Sequence, residues 1–225
     1  MNRIRSDSIQ KKKNILDLGC GDGALIYDLY EKGKINSKTN LYGIDINPRN
    51  IEIIRKKFPR CSFQVADAEK LPYKNSFFDF VYSWMVIEHV RNPQKMVSEI
   101  SRVLKKNCNC YVSSIMKKPW AVYFYRNNGK FVLDPTHINE FESIEEYKQV
   151  FLNNGFKIIS FSKVMRSYSV VELILKLLLK IKILKESDNL RNIFYTCPTL
   201  NFIKKFFMLP VFGFYQVEIL CKKVK

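Results

Sequence analysis

The feature that most constrains the fold is a glycine-rich turn near the start of the chain. Residues 17–23 read DLGCGDG, and an apolar run at residues 14–18 leads into them. An apolar run closed by glycine is typical of a buried strand that enters a sharp turn. Glycine lets the backbone bend there and lie against a flat ligand. The pattern predicts a strand, a ligand-binding turn and then a helix.

Strands and helices alternate along the rest of the chain. Asn47-Pro48 and Asn92-Pro93 each have an N-cap residue followed by proline, and Ser143 with Glu146 forms a capping box, so three further helices begin there. Apolar runs predict seven strands, at residues 14–18, 41–46, 62–66, 77–83, 109–115, 156–163 and 214–222. The order predicts an α/β, Rossmann-like fold with a mostly parallel sheet covered by helices on both faces.

The length of 225 residues fits a single domain with a full hydrophobic core. We expect a cofactor-binding core at residues 14–115, with insertions at 116–142 and 165–213 that cover the site and form the substrate pocket. The second insertion precedes the last strand and is rich in Leu, Ile, Phe and Lys, which predicts two or three helices.

The glycine turn by itself fits two cofactors. Gly19, Gly21 and Ala24 satisfy the G-x-G-x-x-G/A pattern of dinucleotide enzymes, and Asp45 lies at the distance expected for an acid on a ribose hydroxyl. A nicotinamide-dependent oxidoreductase is therefore one alternative. Asp17 favours methyl transfer, because a cationic methionine moiety can use a carboxylate that a dinucleotide does not need.

Later motifs follow in a recognisable order. Ala66-Asp67-Ala68 is followed by Leu71-Pro72, and then by the run from Phe78 to His89. With the glycine turn, they resemble the class I S-adenosylmethionine-dependent methyltransferases, in particular the type 11 group that includes ubiquinone and menaquinone biosynthesis enzymes. The resemblance covers about residues 14–115, with weaker support from 134–163, and implies that the last of the seven strands is antiparallel.

The resemblance also implies a cofactor site for S-adenosylmethionine. Asp45 would bind the ribose hydroxyls, and Ile46 would pack on the adenine. Asp67 and the backbone of Ala68 would receive the adenine amino group, and the next strand end would line the methionine moiety. The predicted cofactor-binding residues are Asp17, Gly19, Cys20, Gly21, Gly23, Asp45, Ile46, Asp67, Ala68, Ser83 and Trp84.

Two histidines are candidate catalytic residues, since histidine titrates near neutral pH. His89 follows Glu88 at the end of the fourth strand, where the pair either supplies a base or orients the loop. His137 lies in the insertion after the fifth strand, where this group commonly builds its acceptor pocket. We rank His137 ahead of His89; a turn histidine without a catalytic role is the alternative.

The net charge of +17 would attract a polyanion such as RNA or an acidic membrane face. An A/T-biased coding composition would give the same lysine excess. Lys176 and Lys180 interrupt an apolar segment near 170–185, and a second apolar run follows Lys205. An apolar surface with lysines of this kind could contact a membrane, a lipid-linked acceptor or a partner subunit. The acceptor is expected to be a small molecule, a sugar or glycan, or lipid-linked.

An RNA methyltransferase is the charge-driven alternative within the same class. Against it, Ser83-Trp84-Met85 occupies the strand end where an Asn/Asp-Pro-Pro-aromatic tetrad would bind a base amino group. The six cysteines lack metal-ligand spacing, so we predict reduced thiols and no metal site. The N-terminus reaches Lys11, Lys12 and Lys13 without an apolar segment of signal-peptide length, so we expect a cytoplasmic protein that can associate with a membrane. The apolar run from Phe206 to Val217 is too short for a membrane-spanning helix.

Overall fold

The computed structural model describes residues 12–33, 39–120, 123, 125–127, 129–169 and 208–225. The helices in these ranges are α1 (Ala24–Glu31), α2 (Pro48–Lys57), α3 (Pro93–Val103) and α4 (Ile144–Leu152). The strands are β1 (Asn14–Leu18), β2 (Asn40–Asp45), β3 (Ser62–Val65), β4 (Phe78–Trp84), β5 (Leu104–Met116), β6 (Tyr125–Asn127), β7 (Lys130–Val132), β8 (Phe156–Ser169) and β9 (Met208–Lys223).

Seven strands form one sheet in the order β3-β2-β1-β4-β5-β9-β8. The pairs β1/β2, β1/β4, β2/β3 and β4/β5 are parallel, and the final strand, β9, is antiparallel. The predicted α/β fold is confirmed. The strand order reverses between β1 and β4, so the carboxyl ends of these two strands border the crevice where such sheets bind ligands.

The helix starts lie where the capping residues predict them. The Asn47 side chain accepts a hydrogen bond from the Arg49 N–H, and the Asn92 side chain accepts one from the Lys95 N–H. Ser143 caps α4 through the Glu146 N–H at 3.0 Å. Each bond satisfies a donor that the first helical turn leaves without an intrahelical partner.

The core lies on both faces of the sheet because alternate residues of each buried strand point in opposite directions. One cluster joins Ile15, Phe80 and Tyr111 of the strands to the apolar stripes of α1 and α2. On the opposite face, Tyr147 of α4 is fully buried, and its hydroxyl donates to the Val112 carbonyl at 3.0 Å.

The predicted helical insertion at 165–213 is wrong at both ends. β8 continues to Ser169 and β9 begins at Met208, so residues 165–169 and 208–213 are strand. These two strands are neighbours in the sheet, and apolar runs with aromatic and β-branched residues suit a paired strand as well as a buried helix. Residues 170–207, with the lysines at 176, 180, 204 and 205, lie outside the described residues.

Two other boundaries differ from the prediction. β5 begins at Leu104, directly after α3, rather than at residue 109, and the hairpin of β6 and β7 was not predicted. Among the described helices, none is both long and apolar enough to span a bilayer.

The chain divides into two compact units. The first comprises Met1–Met116, Thr136–Lys163 and Gln216–Lys225 and carries the predicted cofactor site; residues 136–142 of the expected first insertion belong to it. The second comprises Lys117–Pro135 and Val164–Tyr215.

An aromatic side chain, Trp120, lies in the second unit. The Lys118 side chain is buried there and lies over the rings of Trp120 and Tyr215, at 5.1 and 5.8 Å from their centroids. Its ammonium donates to the Arg166 carbonyl at 3.1 Å. Desolvation lowers the pKa of Lys118.

Candidate active site

The glycine turn connects β1 to α1 and requires glycine for two separate reasons. Gly19, Gly21 and Gly23 have φ angles of 77°, 50° and 85°, a region that side chains rarely adopt. A Cβ at Gly19 would also lie 2.3 Å from the Val86 side chain, whereas no atom of the described residues lies within 4 Å of the Cβ position at Gly21. The backbone at Gly21 is therefore open to a ligand.

Asp45, the last residue of β2, holds the glycine turn in place. Its Oδ2 accepts from the Gly21 N–H at 2.9 Å, and its Oδ1 accepts from the Asn47 N–H at 2.8 Å. The Ile44 carbonyl accepts from both Gly19 and Cys20. A carboxylate has about four acceptor positions, so Asp45 keeps capacity for ligand hydroxyls.

Asp17 lies buried below the turn. Desolvation, and secondly the nearby charge of Asp45, raise the pKa of Asp17 to about 8. The free protein therefore holds this carboxyl protonated at neutral pH, and a cationic ligand would favour its ionised form. Burial also raises the pKa of the neighbouring Cys20 thiol, which stays protonated.

The predicted adenine-binding residues lie together at the ends of β2 and β3. The Asp45 carbonyl accepts from the Ala66 N–H at 3.1 Å, which joins the two strand ends. The Ile46 side chain is 72% exposed, and it offers an apolar surface for a ring. Asp67 is exposed and accepts from the Glu69 N–H at 2.8 Å, an Asx turn.

The predicted methionine end lies at the carboxyl end of β4. Ser83 is fully buried, and its Oγ has no hydrogen-bond partner among the described residues. Trp84 is half-buried and stacks on Tyr111, with ring centroids 6.4 Å apart. Met85 then turns the chain with a positive φ of 56°.

These features fit S-adenosylmethionine. The open backbone at Gly21 and the exposed Ile46 suit a nucleoside, and the buried carboxyl of Asp17 suits a cationic amino acid moiety. The orphaned hydroxyl of Ser83 marks a polar position that a ligand can satisfy.

Both predicted catalytic histidines lie in one side-chain cluster, which we call the histidine cluster (Glu88, His89, His137 and Glu140). The two imidazole centroids are 4.9 Å apart. His89 is exposed, and its Nδ1 lies 3.1 Å from the Thr136 carbonyl oxygen. His137 is buried, and its Nδ1 lies 2.7 Å from Glu140 Oε1.

Glu88 is the buried acid of this cluster. Desolvation raises its pKa to about 7, and the charge of His137 opposes the rise. Its Oε2 accepts from the Ser114 hydroxyl at 3.1 Å, whereas Oε1 is buried without a hydrogen-bond partner in the described part of the chain.

The Glu88 backbone also fixes the loop that carries His137. Its carbonyl accepts from the N–H groups of Ile138 and Asn139, at 2.9 Å each. The expectation that Glu88-His89 orients the loop therefore agrees with the observed backbone bonds.

Sequence reasoning missed Glu140 and Ser114. Glu140 has one local signal, its position three residues after His137, but Ser114 reaches the cluster only through the register of β5 beside β4.

Comparison with known proteins identifies the family. Residues 9–155, more than half of the chain, match a family model described as a methyltransferase domain. A sterol 4-C-methyltransferase from Caenorhabditis elegans is 31% identical over 120 residues, which cover 50% of this chain and 34% of that protein. The demethylmenaquinone methyltransferase of Chlorobaculum tepidum is 26% identical over 166 residues, covering 66% and 67%. The chain thus spans about a third of the first relative and two thirds of the second.

A solved structure shares the fold. A S-adenosylmethionine-dependent methyltransferase from Methanosarcina mazei superposes with a TM-score of 0.65 at 17% identity, covering 100% of this chain and 98% of the other. The family leaves the nicotinamide-dependent alternative without support. From its sequence, its sheet order and its glycine turn, the chain belongs to the methyltransferase-domain family and is a class I enzyme whose cofactor is S-adenosylmethionine.

Proposed function

We propose that this protein transfers the methyl group of S-adenosylmethionine to a small-molecule acceptor that is lipid-linked. The observation that carries the proposal is the glycine turn bound to the Asp45 carboxylate beside the buried Asp17. A methyl group on a sulfonium needs an aligned nucleophile in a dry pocket more than it needs acid catalysis. The glycine turn and the two aspartates therefore contribute to catalysis mainly by holding the cofactor in a fixed position.

We assign the cofactor contacts residue by residue. Asp45 binds the ribose hydroxyls, and Ile46 covers one face of the adenine. Asp67 and the Ala68 backbone receive the adenine amino group. The Asp17 carboxylate offsets the positive charge of the methionine moiety. Ser83 and Trp84, at the carboxyl end of β4, line the other side of this moiety. The exposure of Ile46 and the orphaned hydroxyl of Ser83 support this assignment.

The nature of the acceptor rests on the relatives and on charge. Two relatives are named for sterol and demethylmenaquinone acceptors, which are lipids. The net charge of +17 favours contact with an anionic membrane, where a lipid-linked acceptor would be met. Flotation with anionic vesicles at low salt tests that contact: co-flotation is expected, and no binding would contradict it.

We further propose that His137 and His89 face the acceptor. Their cluster follows the carboxyl end of β4, directly after the predicted methionine end at Ser83 and Trp84, and it brings two imidazoles and a buried carboxyl together. An imidazole nitrogen that carries a lone pair can accept a proton, which suits the handling of an acceptor proton.

Methyl transfer from radiolabelled S-adenosylmethionine tests the function. The protein is incubated separately with a total lipid extract, a water-soluble metabolite extract and total RNA, with Asp45→Ala as the inactive control. Label in the lipid fraction that depends on Asp45 is the expected result. Label in RNA or only in the water-soluble fraction would contradict the lipid-linked acceptor, and no transfer to any fraction would contradict the small-molecule function.

A further inference from the structure

We propose that Glu88, His89 and His137 form a binding site for a divalent transition-metal ion such as Zn²⁺, separate from the cofactor residues. Each residue offers one ligand atom, and the three atoms lie within 4.8 Å of one another. The whole chain has only two histidines, and both lie in this cluster although they come from distant segments. Two imidazoles and a carboxylate are a common donor set for such ions.

The surroundings of both imidazoles orient them as metal ligands. His89 Nδ1 lies 3.1 Å from the Thr136 carbonyl oxygen and 3.3 Å from the Thr136 hydroxyl oxygen. In the tautomer that donates from Nδ1 to the carbonyl, which can only accept, Nε2 keeps its lone pair for a metal ion. Glu140 Oε1 lies 2.7 Å from His137 Nδ1 and fixes that ring in the same way. Metal-binding histidines almost always donate their second ring N–H to a carbonyl or a carboxylate.

Glu88 supplies the third ligand. Its Oε2 accepts from Ser114, which leaves Oε1 buried without a hydrogen-bond partner among the described residues. A buried carboxylate oxygen that lacks a partner is costly, and a bound cation would satisfy it. The side chain is held between the Ser114 hydroxyl and the two backbone bonds to its carbonyl, so it is preorganised for this role.

The spacing allows a cation with a small adjustment. Zn–N and Zn–O bonds near 2.1 Å put tetrahedral ligands about 3.4 Å apart, so the cluster must close by about 1.4 Å at most. His89 is exposed and can make most of that movement. Three protein ligands leave a fourth position open, as in metal sites that bind substrate. That an acceptor oxygen takes this position rests on the proposed function; metal binding does not.

Calorimetric titration of the metal-free protein with Zn²⁺ tests the site. The protein is purified without a polyhistidine tag, treated with a chelator and titrated without cofactor or acceptor; Co²⁺ absorption in the visible range reports the coordination. We expect one Zn²⁺ per chain. Glu88→Gln or the double variant His89→Ala/His137→Ala should weaken binding by at least about 100-fold, and Glu140→Gln by about 10- to 100-fold.

Two matched controls separate this site from other donors. Glu142→Gln removes an exposed carboxylate two residues after Glu140, and Cys61→Ser/Cys108→Ser removes two half-buried thiols. Both should bind Zn²⁺ as the wild type does. Equal affinity of the wild type and the double histidine variant, or loss of binding in the cysteine variant, would overturn the proposal.

Folding and function are checked independently. The exposed His89→Ala variant should keep its circular dichroism spectrum, and its affinity for S-adenosylhomocysteine in chelator-treated buffer should match the wild type. Stoichiometric Zn²⁺ binding without methyl transfer would count against the proposed function and leave the metal site standing. Methyl transfer without Zn²⁺ or Co²⁺ binding would contradict the metal site and leave the proposed function standing.

Discussion

The glycine turn and the histidine cluster lie in the same compact unit, but the chain builds them in different ways. The turn is one contiguous segment. Its backbone N–H groups form hydrogen bonds, and its glycines leave room for a ligand because they have no side chains. The histidine cluster is made of side chains, and the bond from His89 to Thr136 joins residues 47 positions apart. Substitutions in the glycine turn change the backbone geometry and so disturb both the fold and the site. Substitutions in the histidine cluster can remove a functional group while the fold stays intact.

The largest expected effect is on turnover in the histidine cluster. His137→Ala should lower kcat/KM by about 100- to 10,000-fold, because it removes an imidazole that handles the acceptor, directly or through a metal ion. Its affinity for S-adenosylhomocysteine should stay within about twofold of the wild type, since no predicted cofactor contact changes. A variant with the wild-type rate would remove His137 from the mechanism.

The second prediction concerns a substitution in the glycine turn. Gly19→Ala places a Cβ 2.3 Å from the Val86 side chain at a φ of 77°, so the turn must shift. We expect a loss of about 1–3 kcal/mol in the free energy of unfolding, and at least a tenfold loss of cofactor affinity. Thermal denaturation and calorimetry measure the two effects.

Gly129→Ala is the matched control for this substitution. Its φ is also 77°, but within the part of the chain that the structure describes nothing lies within 4 Å of the Cβ position, and Gly129 belongs to the β6–β7 hairpin. The control should show only the conformational cost and bind the cofactor normally. Equal loss of cofactor affinity in both variants would contradict a specific role for the turn at Gly19.

The same difference in construction explains what the sequence could predict. The turn at 17–23 and the caps at Asn47, Asn92 and Ser143 are local, so residue order alone predicts them, and the cap bonds are as expected. The helical assignment for 165–213 failed at its ends because strand pairing in three dimensions decides between helix and strand for such apolar segments.

The histidine cluster shows the other limit. His89 and His137 were each singled out as acid–base candidates, yet nothing in their spacing predicts that their rings meet. The prediction of no metal site rested on cysteine spacing, and a ligand set drawn from distant segments leaves no such pattern. The partnership of Glu88 with Ser114 likewise depends on the β4–β5 register.

The third prediction concerns stability at the cofactor end. The Arg102 guanidinium donates to the carbonyls of Leu71 and Tyr73 and forms an ion pair with Glu99, which holds the segment after Ala68 on α3. Arg102→Ala should therefore lower the free energy of unfolding by about 1–3 kcal/mol. Arg49→Ala, an exposed arginine on α2, should change it by less than about 0.5 kcal/mol. Urea denaturation measures both; equal values would contradict the proposed bracing.

A further prediction concerns a pH dependence of stability at Asp17. Its pKa rises from 3.8 to about 8 on folding, so the folded chain binds more protons than the unfolded chain between these values. The contribution of Asp17 to stability is therefore greatest below about pH 4, decreases as the pH rises to about 8 and is level above it. Denaturation across this range should show the slope in the wild type and a smaller one in Asp17→Asn.

Cofactor affinity should show the opposite trend. A cationic methionine moiety favours ionised Asp17, so binding releases a proton and tightens as the pH rises towards about 8, by up to about tenfold per pH unit. In Asp17→Asn this dependence should vanish. If Asp17→Asn keeps the full pH dependence of cofactor affinity, another titrating group causes that dependence.

Calorimetric titration with S-adenosylhomocysteine tests most directly whether the two regions divide the work as described. Wild type, Asp45→Ala and His89→Ala/His137→Ala are compared at one pH, with thermal denaturation as the check on folding. We predict that Asp45→Ala loses at least about tenfold in affinity, since it removes the ribose anchor and the bond to the Gly21 N–H, and that the double histidine variant binds like the wild type. A folded Asp45→Ala variant with wild-type affinity, or loss of binding in the folded histidine variant, would contradict the assignment of the glycine turn as the cofactor site.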